Sequence, residues 1–192
     1  MIGRLDERWK LRVKAAYSEP HRHYHTLAHL ENMFAEGARF APMEPAVEWA
    51  IWFHDFVYDP RSATNEEDSA QVASVALAEM GEAAAVIDRT VELILATKHG
   101  AASAIESDDA RLLVSLDLAI LAASPERYDA YVGQVRAEYA HVPDEQFRAG
   151  RAAFMRKFLE QAVIFPHPAF QDYEARARAN ITRKLRSAFT KC

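Results

Sequence analysis

Along most of the chain the apolar residues return every three or four positions, and no run alternates with period two. That spacing gathers apolar side chains on one face of an α-helix. The expected fold is therefore all-α, an irregular bundle of eight or nine helices. They are read at about 4–17, from His25 or Thr26 to Phe40, over EPAVEWAIWFHDF, over TNEEDSAQVASVALAEM and at 83–98. Further helices are expected over ESDDARLLVSLDLAILAAS and at 125–140, 144–164 and 168–189. SEPHRHY, PMEP at 42–45 and VYDPRSA break the pattern, and TKHG with Gly100 supplies a stop signal. Thr64 or Asn65 stands in a capping position, with acids in the first turn where the helix dipole favours them. The 192 residues, half of them hydrophobic, suffice for one sizeable core, so a single domain over 1–192 is expected.

Composition narrows the function classes. The formal net charge is −5 and no Lys/Arg block occurs, which disfavours non-specific binding to nucleic acid or an acidic membrane. Cys192 is the only cysteine, which excludes an intrachain disulfide and a cysteine-based zinc site. MIGRLDERWKLRV lacks the apolar run of a signal peptide and no segment is long and apolar enough to span a membrane. A cytoplasmic location is expected. There is no Gly-x-Ser-x-Gly and no glycine-rich nucleotide loop.

Two features resist a purely structural account. HRHYHTLAH places four of the eight histidines, His21, His23, His25 and His29, in nine positions. WAIWFHDFVY sets His54 and Asp55 in the most apolar stretch, and LLVSLDLAIL sets Asp117 among Leu, Val and Ile. An unpaired buried carboxylate is costly, so each acid needs a cation, a hydrogen-bond network or a raised pKa. Salt bridges or capping would serve one such acid. A divalent metal shared by His and Asp would serve all of them, and this donor set suits Mn, Fe, Co, Ni, Zn or Mg. His25 and His29 share a helix face if the helix already includes His25.

A helical His, an adjacent His-Asp pair and a distant helical Asp, in that order, resemble the HD-domain superfamily of metal-dependent phosphohydrolases. The matching residues are His29, His54, Asp55 and Asp117, with gaps of 25 and 62 residues. The likeness covers about residues 20–125 and leaves helices of 126–190 to pack on that core. PHRHYHTLAHL and AIWFHDFVYD are similar to a small single-domain bacterial subgroup of that superfamily.

The resemblance implies that His29, His54, Asp55 and Asp117 bind one divalent metal. It further implies that Asp55 bridges metal and attacking water while Asp117 orients that water. YHTLAH resembles the Tyr-His-x-x-x-His segment of cyclic-nucleotide phosphodiesterases, which makes His25 a candidate general acid. Asp59 matches the second member of an acidic pair found in some nucleotide-cleaving relatives, with Tyr58 in the first position. Where two-metal members carry a further His, NEEDSA has Asn65, followed by Glu66, Glu67 and Asp68. His99 fits a later ligand of a second metal or a pocket residue. Arg22, His23, Lys98, Arg148 and Arg151 are candidate phosphate contacts, Arg being suited to bidentate binding.

The implied activity is hydrolysis of a phosphoester in a small nucleotide-like or related metabolite by metal-activated water. The alternatives are a di-iron oxygenase of the same fold, a non-catalytic metal-stabilised binding protein and a metal-free helical bundle. A homodimer is the default oligomer.

Overall fold

A computed structural model of the chain describes residues 5–40, 42–98 and 106–189. Among the described residues there are nine α-helices and no strand, as the apolar spacing predicts. In chain order they are α1 (Glu7–Ala16), α2 (Leu27–Gly37), α3 (Pro45–Phe53), α4 (Asn65–Glu79) and α5 (Ala84–Ala96). There follow α6 (Asp108–Asp117), α7 (Pro125–Glu138), α8 (Asp144–Glu160) and α9 (Gln171–Phe189). Short 3-10 turns cover Ala38–Phe40, Leu118–Ala122 and Pro168–Phe170.

Helix starts follow local chemistry. The Asp6 carboxylate accepts the Trp9 N–H, Ser107 accepts that of Ala110, and Ser124 accepts that of Arg127 just ahead of Pro125. Thr64 occupies the capping position of α4, but its hydroxyl donates to Asp68 at 2.9 Å instead of accepting a backbone N–H. Gly81, at φ 78°, ends α4 with the Glu82 N–H reaching back to the Leu77 carbonyl. Gly100, the expected stop of α5, lies outside the described residues.

α3 is the axis of the fold. Seven of its nine residues are buried, including Trp49, Ile51, Trp52 and Phe53. α2, α4, α5 and α6 all pack against it. α4 and α5 lie closely along one another, with Ala70, Ala73, Ala76 and Leu77 on the buried side of α4. α9 lies against α8 and the turn after α6. One apolar cluster runs from Leu5 to Ile181 through all of these helices.

Two expectations about elements are corrected. α2 begins at Leu27 with Thr26 as its cap, so His25 precedes the helix and does not share its face with His29. The segment read as one buried helix over 106–124 is α-helical only to Asp117 and then tightens into a 3-10 turn. That change of winding occurs at the acid that sequence singles out.

Candidate metal centre

Four side chains meet where one helix starts and two helices end. His29 is in the first turn of α2, His54 caps the end of α3, Asp55 follows it, and Asp117 is the last residue of α6. The burial of α3 on nearly every side forces the residues after Phe53 to emerge inside the protein. His29 and His54 are buried, at 3 % and 2 % exposure.

The two Nε2 atoms are 3.2 Å apart. Asp55 Oδ2 lies 3.0 Å from His54 Nε2 and 3.8 Å from His29 Nε2. Asp117 Oδ1 lies 3.2 Å from His29 Nε2 and 3.8 Å from His54 Nε2. Each carboxylate thus sits nearer a different imidazole. Ligands about 2.1 Å from a common ion are separated by roughly 3.0–3.5 Å in octahedral or tetrahedral arrangements. Three of the five observed spacings fall in that range, and the two of 3.8 Å lie just beyond it.

The His54 Nδ1 lies 3.1 Å from the Ile51 carbonyl, the contact of an N–H donor, which leaves the Nε2 lone pair facing the cluster. One imidazole lone pair and two carboxylates then converge, and only a positive charge among them relieves the repulsion. In the protein alone that charge is a proton. Burial opposes protonation of His54, but the neighbouring Asp55 carboxylate outweighs it and holds the ring up at about 9. Burial likewise opposes ionisation of Asp55, and the His54, His25 and His29 rings overcome it, keeping the acid well below the usual range. His29, His54 and Asp55 form a buried group able to hold a metal ion. Asp117 Oδ1 also reaches both imidazoles.

The centre opens on a cavity of about 300 Å³. His54, Asp55 and Asp117 line it, which explains why the two acids keep 19 % and 15 % side-chain exposure within apolar segments. His25 and Arg151 also line it, with aromatic walls from Tyr58, Tyr131 and Phe154. Arg151 stacks between the Tyr131 and Phe154 rings and donates to the Tyr131 hydroxyl.

His25 is held by a residue that sequence reasoning missed. Its Nδ1 lies 2.7 Å from Glu138 Oε2, and the Tyr58 hydroxyl donates to the same oxygen at 2.9 Å. Glu138 Oε1 accepts the backbone N–H groups of His23, Tyr24 and His25 at 2.7–2.9 Å. Five donors therefore converge on one carboxylate that is 3 % exposed. Burial pushes the Glu138 pKa up, but the bonds and charge of His25, with the backbone donors, bring it down to about 2. His25 is itself raised: burial opposes its charge, and Asp55 and Glu138 prevail.

The other candidates separate clearly. Arg22 is corrected from phosphate contact to structural clamp. Its buried guanidinium donates to the carbonyls of His25, Asp55 and Phe56 and its Nε to Glu19. It ties the histidine-rich loop to the end of α3. His23 and Asp59 line a different cavity, and Asp59 accepts the Arg61 N–H. Lys98 is engaged by the Ala63 carbonyl and Glu67, and neither Lys98 nor Arg148 lines the metal cavity. Asn65 lines that cavity, but its amide bridges the N–H and C=O of Asp59. Glu67 pairs with Lys98 and Asp68 with Thr64, leaving Glu66 as the acid of this segment that lines the cavity. His99 lies outside the described residues.

No protein-family model, curated protein or solved structure matches the chain.

Proposed function

We propose that the protein is a metal-dependent phosphohydrolase that cleaves a phosphomonoester of a small nucleotide-like metabolite. The observation that carries this reading is the set of two imidazoles and two carboxylates beside a cavity that a tethered histidine and an arginine also line. His29, His54, Asp55 and Asp117 hold the ion. A divalent ion supplies Lewis acidity toward a phosphoryl oxygen and lowers the pKa of water.

The chain's own residues supply the remaining needs. His25, with Nδ1 fixed on Glu138, keeps Nε2 for a proton to the leaving oxygen. Arg151 offers a guanidinium to a phosphoryl group. It is the one Lys or Arg lining this cavity among the described residues, which favours a monoester over a polyphosphate. The aromatic walls suit a planar ring. A di-iron oxygenase needs a second ligand set, and of the segment 65–68 only Glu66 and the engaged Asn65 reach the cavity.

The deciding experiment is elemental analysis of the dialysed protein beside His54→Ala and Asp117→Ala, followed by phosphate release from a panel of monoesters. About one divalent metal per chain in wild type, absent from both folded variants, is expected from a four-donor set. About two irons with oxygen consumption would replace this reading with the oxygenase. Failure to bind any added divalent ion would end it.

A further inference from the structure

α1 and α2 leave between them a groove of about 550 Å³ that none of the four metal-site residues lines. Its lining is apolar: Val13 from α1, Leu27, Leu30 and Phe34 from α2, and Trp52 from α3. On the α1 wall Leu11 is 68 % exposed, more than any other large apolar side chain among the described residues. A single exposed leucine is ordinary. One that stands beside an apolar hollow without filling it is not, because burial there would remove both surfaces from water.

Charge supplies a second observation. Three charged residues share this lining, and the Lys10 ammonium is already engaged by Glu7 at 2.6 Å. The other two are Lys14 on α1 and Glu31 on α2, one on each wall. Both are exposed, and neither side chain pairs with the other or with any further described residue. An apolar centre with unpaired charges at its edge is the anatomy of a protein–protein contact.

The face is also its own complement. It carries a projection and a hollow, a cation and an anion, and a two-fold axis lays each on its opposite in a second copy. An acyl chain with a carboxylate would satisfy Lys14 but set a second negative charge beside Glu31. A second copy satisfies both. We propose that the α1–α2 face is the contact between two copies of this chain. Leu11 of each copy enters the other's groove, and Lys14 of each meets the partner's Glu31. The proposal is independent of the phosphohydrolase reading, since it uses no residue of the metal centre.

The test is sedimentation equilibrium of the full chain from nanomolar to high micromolar concentration, with native mass spectrometry of the same samples. Leu11→Ser, Lys14→Glu, Glu31→Lys, the double variant Lys14→Glu/Glu31→Lys and Val163→Ser are compared. All these positions are exposed, and each variant is checked for fold by circular dichroism. Wild type should form a reversible dimer. Leu11→Ser should weaken it about a hundredfold, because symmetry counts the lost leucine twice. Each single charge reversal sets like charges together twice and should weaken it about tenfold or more. The double reversal exchanges the two signs and should restore the dimer. Val163→Ser removes an exposed apolar side chain outside the groove and should dimerise like wild type.

A wild type that stays monomeric, a dimer that Leu11→Ser leaves intact, or single reversals that the double reversal does not rescue would overturn the proposal. A monomer whose native mass exceeds that of the chain by a small apolar molecule would also overturn it, and would give the groove to that ligand.

Discussion

Glu138 shows how much one side chain decides here. Its Oε1 is committed to three backbone N–H groups, so a glutamine at 138 keeps that contact only by turning its amide nitrogen toward His25. The Nδ1 proton would then be displaced and the imidazole would lose its counter-charge. Under the phosphohydrolase reading, Glu138→Gln lowers kcat on the order of 10²-fold, the lower range for general acid catalysis. Its stability effect has a defined sign. The carboxyl titrates at about 2 in the folded protein against 4.5 ordinarily, a difference of about 3 kcal/mol. That contribution is fully present above pH 4.5 and is lost as pH falls through 2. Thermal unfolding of wild type and Glu138→Gln should therefore differ most at neutral pH, with the gap closing toward pH 2. A gap that ignores pH would remove the charged carboxylate from the account. His54, Asp55 and Asp117 were legible because charges in apolar segments stand out, and His29 through the histidine-rich stretch and the family resemblance. Glu138 had a fainter signal: it continues the buried stripe of Tyr128, Tyr131 and Val135 on α7. Nothing in the sequence says that this stripe returns to the histidine-rich loop.

At the scale of elements, the centre is a junction. α2, the end of α3 and the end of α6 present their donors to one another, so an ion bound there pins three helices. Metal at 100 times its Kd should raise Tm by about 5–10 °C, and a chelator should reverse the shift. Asp117→Ala should abolish it, whereas an equal shift in that variant would place the ion elsewhere. The α4–α5 pair depends on small residues instead. Ala73 is wholly buried on α4, and Ala73→Leu should destabilise the protein by about 1–3 kcal/mol through overpacking, as read by denaturant unfolding. Apolar spacing located every described helix, because a face must be buried wherever it repeats. Helix ends were less legible. The 3-10 turn after Asp117 keeps the same apolar composition as the α-helix before it, and the loop ahead of α2 is held by Glu138, 113 residues from His25.

At the scale of the molecule, the family resemblance stops near residue 125, yet the site does not. Tyr131 and Glu138 come from α7, and Arg151 and Phe154 from α8. Sequence spacing finds ligands on neighbouring helices but carries no record of which later helices fold back over them. The later helices are also fastened to the earlier ones. Asn180 on α9 donates to the Leu121 and Ala123 carbonyls, and the His167 N–H donates to Ser115 on α6. With Tyr128, Phe170 and Ile181 in the same core cluster as Trp9, Trp49 and Phe53, the chain should unfold as one cooperative unit. The placement of its tryptophans makes that testable. All three, Trp9, Trp49 and Trp52, lie in α1 and α3, whereas the helical circular dichroism signal arises from the whole chain. In metal-free protein the fluorescence and circular dichroism melting curves should coincide. An earlier circular dichroism transition, with the tryptophans still buried, would mean that α7–α9 detach first. The site would then lose Glu138 and its cationic lining before His29, His54, Asp55 and Asp117 themselves come apart.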